Sequence, residues 1–249
     1  MSGSEPPPTL EDRCLGALPG LACGDAVGTT VEFCPRGSFA PLTDLVGGGP
    51  FGLAAGQWTT GEPFAGSTDP RSAGNGALMR LAPVVLYYYP STAEIQHYAV
   101  ESSRTTHAAP EALDCARLLA HVLSRALAGS DRTAMLDAAA LGLAEPKVAA
   151  LASGQHREKR RDEIAGTGYA VAALAAALWC FQTTGSFEEA VLTAANLGDD
   201  ADTTAAITGQ IAGAHYGVRG IPDRWRRRLH RGAEIEGLAH RLIAKPRDT

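Results

Sequence analysis

The sequence has few aromatic side chains and no excess of positive charge, and each shortage excludes a class of protein. Only 6% of its 249 residues are aromatic, and the formal net charge is -5. Glycine and alanine are abundant instead, and small side chains allow helices to approach closely, so we expect packed helices rather than a β-sandwich. The negative charge argues against a general nucleic-acid binder. We interpret the one basic run, Arg224–Arg228, as a solvated helix face.

Cysteine pairs of the kind that bind zinc are also absent. The chain has five cysteines, none in a C-x-x-C pair or beside a histidine at zinc spacing. An odd number of cysteines without a secretory signal predicts reduced thiols and a cytoplasmic location. No apolar run is a clear membrane span, since the run over residues 170–181 is too short. We therefore expect no membrane association.

The chain is long enough for one large core. We predict a disordered tail over residues 1–9, which contain three consecutive prolines, and a single domain over residues 10–245. A helical pattern covers Leu10 to Val27, with Pro19 marking a kink or a turn. Residues 29–72 are rich in glycine and proline, and so long a loop is unusual in a compact domain.

The pattern after Asn75 is helical almost to the end, and no convincing strand alternation interrupts it. The fold class predicted is therefore all-α. Pro110 suits a helix start, Gly129 a helix end, and Ser186 with Glu189 a capping box. The predicted helices cover residues 77–89, 92–103, 110–129, 132–143, 147–152, 168–184, 187–196, 202–216 and 222–244.

Three carboxylates and two hydroxyls crowd the start of the helix predicted after Asn196. Residues at i and i+2 of a helix point about 200° apart, so Asp200 and Asp202 converge only if Asp200 lies in the preceding turn and Asp202 in the first helical turn. That arrangement suits a hard cation and places the anions at the positive end of the helix dipole. The alternative is an N-cap, for which one such residue would suffice. We favour a metal site.

The same helix carries a stripe of small residues at every fourth position, from Ala205 through Gly209 and Gly213 to Gly217. Such a stripe indicates close contact with neighbouring helices. It would anchor the acidic end on a rigid, buried element, as a functional site requires.

Three further motifs carry polar chemistry. The stretch Gly24–Phe33 places Asp25 near a helix end and Glu32 in the loop that follows. The turn Gly74-Asn75-Gly76 precedes a predicted helix, where backbone N–H groups could hold a phosphate, although any helix start has this polarity. His107 also precedes a helix, and a lone histidine is more often structural than catalytic.

Taken in order, these motifs resemble the ADP-ribosylglycohydrolase family, and the resemblance extends from about Arg13 to Trp225. It rests on several ordered motifs, each modest by itself. The matching stretches are Gly24–Gly28, Gly56–Thr59, Ser72–Pro83, Ser103–His107, Gly166–Tyr169 and Gly198–Thr203.

The resemblance implies an orthogonally packed helical bundle with a pair of Mg2+ (or Mn2+) ions at the base of an ADP-ribose cleft. Members hydrolyse glycosidic bonds at the anomeric carbon of ADP-ribose. By this resemblance Glu32, which would gate the metal site, is catalytic together with Asp200 and Asp202. The implied metal ligands are Thr59, Asp200, Asp202 and Thr203, and the implied substrate contacts are Gly74, Asn75, Gly76, Met79, His107, Gly168 and Tyr169.

The resemblance leaves the partner open. An ADP-ribosylated protein or a small molecule is expected, but the sequence does not distinguish arginine, serine, a nucleic-acid end or a metabolite as the acceptor. It also leaves the oligomeric state open.

One departure from the family pattern falls in the glycine-rich region. The family places a Thr-Asp-Asp-Thr metal motif after a Gly-x-Trp motif, followed by a helical segment of some tens of residues. Here Gly56-Gln57-Trp58-Thr59 continues as Thr60-Gly61-Glu62, so Thr59 is present but the two aspartates and the segment are missing.

Two missing carboxylates leave less negative charge to balance the positive charge of bound metal ions. We therefore expect one ion instead of two, and slower turnover. Asp25, Glu62 or Asp199 could substitute for the missing ligands. One alternative is an ADP-ribose-binding pseudoenzyme that has lost catalysis, and another is the deletion product of a normal hydrolase.

Overall fold

A computed structural model shows a helical protein and describes residues 6–50, 52–57 and 67–244. Within these ranges the regular structure is helical, with three isolated β-bridges, so the all-α class is confirmed. The helices are α1 (Leu10–Gly28), α2 (Ala82–Tyr88), α3 (Thr92–Arg104), α4 (Pro110–Leu127), α5 (Pro146–Ala152), α6 (Ala170–Thr183), α7 (Phe187–Ala195), α8 (Ala201–Tyr216), α9 (Asp223–Arg228) and α10 (Gly232–Ile243).

Local signals account for several helix ends. Pro110 lies in the first turn of α4, and Ser186 accepts a hydrogen bond from the Glu189 N–H at 3.1 Å. The Glu189 carboxylate accepts from Gly185 rather than from Ser186, so the predicted capping box is shifted by one residue. Of the predicted tail, residues 1–5 lie outside the described part of the chain, and Thr9 caps α1.

Two predicted helices are wrong. Residues 132–143 form two short 3₁₀ turns, 134–136 and 139–141, because buried Met135 and Leu136 anchor this segment and Gly142 ends it with a left-handed φ of 56°. The helix predicted over 222–244 is two helices. Between them the His230 N–H donates to the Gly56 carbonyl at 2.7 Å, and Arg231 has a φ of 55°. In both places tertiary contacts override helix propensity.

The basic run at α9 is only partly a solvated face. Trp225 is fully buried, and its indole N–H donates to Asp44 at 2.6 Å. Arg224 and Arg228 both form ion pairs with Asp44 as well. These contacts fasten the glycine-rich region to the C-terminal helices.

The centre of the molecule is a close antiparallel contact between α1 and α8. Gly16, Gly20, Gly24 and Gly28 of α1 lie against Gly213, Gly209, Ala205 and Ala201 of α8, in that order. A Cβ atom at Gly24 would lie 2.1 Å from the Ala205 carbonyl oxygen, so no larger residue fits at this distance. The close contact predicted for the α8 stripe is confirmed, except that Gly217 ends the helix with a φ of 73°.

Helix α1 continues through Pro19 without interruption. Extended to Val31, it is also long and apolar enough to cross a membrane by length and composition, which the sequence analysis overlooked. However, 83% of that apolar window is buried inside the protein, as in the core helix of a soluble protein.

Candidate active site

The contact between α1 and α8 brings three carboxylates together. Asp200 is the N-cap residue of α8 and Asp202 lies in its first turn, which is the arrangement predicted from their spacing. Glu32 follows the short 3₁₀ turn Thr29–Val31 at the end of α1. One oxygen of each carboxylate lies within 4.8 Å of the others. We call Glu32, Asp200 and Asp202 the carboxylate cluster.

Burial and mutual repulsion disfavour full ionisation of the carboxylate cluster. Burial, a hydrogen bond with Asp200 and the charge of Glu32 raise the pKa of Asp202 to about 8. Burial raises the pKa of Glu32 as well, and the charges of Asp200 and Asp25 act in the same direction. If all three carboxylates were ionised, the cluster would hold more negative charge than its surroundings stabilise.

A divalent cation fits this cluster. The Glu32 Oε2 atom is buried, and no hydrogen bond to it is present among the described residues. The available donors are carboxylate oxygens, which Mg2+ and Mn2+ prefer. Glu32, Asp200 and Asp202 would hold the ion.

Thr203 and Thr59 were the other predicted ligands. The Thr203 hydroxyl lies 3.5 Å from the Asp202 carboxylate and 3.8 Å from the sulfur of Met79, so Met79 also lies beside the cluster. Thr59 lies outside the described residues, as does Glu62, one of the proposed substitutes.

Asp200 is held in place by the predicted substrate-binding turn. The Asn75 side-chain amide donates to Asp200 Oδ2 at 2.6 Å and to the Thr167 carbonyl at 3.2 Å. The Asn75 N–H donates to the Gly168 carbonyl at 3.1 Å, and the Asp200 N–H donates to the Gly166 carbonyl at 2.9 Å. The turn at residues 74–76 and the turn at residues 166–168 therefore form one wall beside the carboxylate cluster.

His107 packs against this wall. A Cβ atom would lie 2.8 Å from the His107 ring at Gly74 and 2.9 Å from it at Gly76, which explains why both positions are glycine. Burial and the charge of Arg80 lower the pKa of His107, and its Nδ1 lies 2.8 Å from the Thr106 hydroxyl. The ring is therefore neutral at pH 7 and part of the wall.

The helix predicted over residues 77–89 begins later than expected and does not follow the Gly74-Asn75-Gly76 turn directly. Helix α2 begins only at Ala82, whose N–H donates to the Gln210 side chain at 2.8 Å, while the Gln210 amide donates back to the Leu78 carbonyl at 2.9 Å. The argument from a helix N-terminus therefore fails for this turn. Its polar groups hold Asp200 instead.

Tyr169 has neighbours that the sequence analysis missed. Its backbone pairs with Gly74, and its hydroxyl donates to Glu111 at 2.5 Å and accepts from Lys147 at 2.9 Å. Lys147 and Glu111 form an ion pair at 3.0 Å. No motif links these three residues in the sequence, so only the fold brings them together.

Arg36 is a further residue near the site that the sequence motifs did not predict. It donates to the carbonyls of Leu197, Arg161 and Ile164 and so ties the loop after Glu32 to both neighbouring segments.

The fold and the cluster define an all-helical protein with a buried carboxylate site suited to a divalent cation, beside a glycine-lined wall. The family model of the ADP-ribosylglycohydrolases matches residues 6–61 and 60–249. The chain therefore belongs to the ADP-ribosylglycohydrolase family, and it is a hydrolase of the glycosidic bond that links ADP-ribose to a modified acceptor.

Individual relatives agree with this assignment. The chain is 36% identical to the ADP-ribosylarginine hydrolase Tri1 of Pseudomonas putida, covering 93% of this chain and 78% of that protein. It is 27% identical to the ADP-ribosyl-[dinitrogen reductase] glycohydrolase of Rhodospirillum rubrum, covering 92% and 94%. A solved structure titled ADP-ribosylglycohydrolase-related protein complex superposes with a TM-score of 0.85 at 37% identity, covering 94% of this chain and 98% of that one.

These comparisons also bear on the alternatives. The named relatives are hydrolases, so the pseudoenzyme interpretation has no support. The two stretches of the family match meet at residues 60–61, which is where the sequence analysis placed the missing segment. The alignment to the P. putida protein is 291 residues long but includes only 93% of this 249-residue chain, so it contains gaps in this chain.

Proposed function

We propose that this protein hydrolyses the N-glycosidic bond of ADP-ribosylarginine with the help of a Mg2+ or Mn2+ ion. The observation that carries the proposal is the convergence of Glu32, Asp200 and Asp202 within 4.8 Å. The acceptor is suggested by two relatives named ADP-ribosylarginine hydrolase, from P. putida at 36% and from Serratia proteamaculans at 34% identity.

A bound cation would stabilise the negative charge of the cluster and of the substrate oxygens beside it. The protein groups would then position the reactants. Asn75 would hold Asp200 in one orientation, and Gly74, Gly76 and His107 would line the ADP-ribose. The two glycines allow the His107 ring to lie directly against the backbone of this turn.

The reaction breaks the bond between the ribose anomeric carbon and the guanidine nitrogen. Water supplies the oxygen that bonds to this carbon, and the departing guanidine takes up a proton. We assign Glu32 the role of accepting the proton of the attacking water. Its Oε2 atom is buried in the cluster and has no hydrogen-bond partner among the described residues, which leaves this oxygen available to accept the proton.

The test is turnover of a peptide carrying ADP-ribosylarginine, measured with added Mg2+ or Mn2+ and after treatment with EDTA. We expect release of ADP-ribose with metal and loss of activity on chelation, restored by adding the ion back. A peptide carrying ADP-ribosylserine, run in parallel, determines the acceptor. Hydrolysis of the serine peptide alone would overturn the arginine assignment, and activity unchanged by EDTA would overturn the metal dependence.

We propose that the protein works in the cytoplasm on an ADP-ribosylated protein and without a membrane. None of its five cysteines forms a disulfide bond, as expected in a reducing compartment. The apolar window of α1 is mostly buried and therefore not available to lipid. Fractionation of cells that produce the protein would test the location, and recovery with the membrane pellet would contradict it.

A further inference from the structure

Phe33 is unusual because it is both strained and exposed beside the carboxylate cluster. Its side chain is 68% exposed, although the preceding residue, Glu32, is buried in the cluster. Its φ of 62° lies in the left-handed region, which a bulky side chain rarely adopts. We infer that Phe33 determines acceptor specificity by stacking its ring on the guanidinium group of ADP-ribosylarginine. This inference rests on the proposed function.

The backbone around Phe33 is fixed by a second strained residue. The Phe33 N–H donates to the Asp199 carbonyl at 2.7 Å, and the Asp199 N–H donates to the Cys34 carbonyl at 2.9 Å. Asp199 also has a left-handed φ, of 56°. Backbone strain of this kind concentrates at functional sites. The paired hydrogen bonds determine where the Phe33 ring is presented.

Phe33 lies on the opposite side of the turn at residues 198–200 from the proposed ADP-ribose wall. The turn at residues 198–200 is held from two sides, by Phe33 and Cys34 on one and by Asn75 and Gly166 on the other. The proposed ADP-ribose wall is on the Asn75 side. We therefore place the acceptor on the Phe33 side of this turn, opposite the proposed ADP-ribose wall.

The chemistry of the acceptor fits an aromatic platform. A guanidinium group is planar, cationic and weakly hydrated, and it stacks on aromatic rings. A serine acceptor has neither the plane nor the charge, so the ring should favour arginine over serine.

The first experiment compares the wild-type protein with Phe33→Gly, since glycine removes the ring but adopts the left-handed backbone without strain. We expect the KM for an ADP-ribosylarginine peptide to rise by about fivefold, in the range of a partly exposed cation–π contact. Affinity for free ADP-ribose should stay unchanged, and Phe33→Trp should restore the low KM. Tyr98→Ala, which removes another exposed aromatic ring, serves as the matched control.

A second measurement separates this inference from the proposed function. Agmatine, a free guanidinium compound, is titrated into wild-type and Phe33→Gly proteins saturated with ADP-ribose. Weaker agmatine binding to Phe33→Gly supports the inference even if no arginine-linked substrate is turned over, in which case only the proposed function fails. Turnover of ADP-ribosylarginine with the same KM in both proteins, and equal agmatine binding, would overturn the role of Phe33 and leave the proposed function intact.

Discussion

At the scale of single residues, the carboxylate cluster depends on where one helix begins. Asp200 is outside α8 as its N-cap, and Asp202 is inside its first turn. A helix that began one turn earlier would point these side chains to different faces. The adjacent Asp199 has its carboxylate outside the cluster, although all three aspartates are neighbours in the sequence.

We predict that Asp202→Asn weakens Mg2+ or Mn2+ binding by at least about tenfold, because affinity at such sites follows the number of charged ligands. Isothermal calorimetry on the purified variant measures the loss. Asp199→Asn is the matched control, since asparagine tolerates the left-handed backbone of that position and the cluster keeps its three carboxylates. Equal affinity in the wild type and Asp202→Asn would show that the cluster only caps α8.

At the scale of helices, the contact between α1 and α8 positions the site. Gly28 packs against Ala201 and Asp202, so the end of α1 that leads to Glu32 lies beside the start of α8. The distance between the helices is set by small residues on both, and a side chain added on either would push the carboxylates apart.

We predict that Gly24→Ala lowers the free energy of unfolding by about 1–3 kcal/mol, because the new methyl group would overlap the Ala205 carbonyl. Gly237→Ala in α10 is the control, since a Cβ there meets no atom within 4 Å. That change should stabilise the protein by about 0.5–1 kcal/mol through helix propensity. Urea denaturation measures both, and similar stabilities of the two variants would refute the close contact.

At the scale of the whole molecule, several histidines lie in buried environments that disfavour their protonated form. Burial lowers the pKa of His107, His121 and His156, and burial with the charges of Arg132 and Arg13 lowers that of His215 to about 4. The unfolded chain binds protons at these groups from about pH 6.5 downwards, and the folded chain binds them only at lower pH. The contribution of these histidines to stability therefore falls as the pH decreases from 6.5 towards 4, whereas the raised pKa of Asp202 acts in the opposite direction below about pH 8.

We predict that the change in the urea midpoint from pH 7.5 to pH 5 is more favourable in His215→Leu than in the wild-type protein, because the contribution of His215 to stability is lost over this range. The variant removes one group whose protonation the fold opposes, while its midpoint at pH 7.5 records any loss of packing against Phe181. A difference between the two pH values as large as in the wild type would exclude His215 as a contributor.

Hydrophobic periodicity and capping residues predicted α3, α4, α6, α7 and α8 to within a few residues, since these signals are local. The same rules failed for residues 132–143 and for the break at Arg231, where packing decided the backbone. For the site, the i, i+2 spacing predicted the convergence of Asp200 and Asp202, and the resemblance added Glu32.

The sequence by itself determined the helical class, the acidic start of α8 and the family, because these depend on composition, spacing and ordered motifs. Only the tertiary structure decided that Asn75 holds Asp200, that Tyr169 meets Glu111 and Lys147, and that Phe33 and Asp199 stabilise each other's strained backbone. These partners are far apart along the chain. Their contacts arise from the close packing of α1 on α8 and the loops it brings together, which no local pattern encodes.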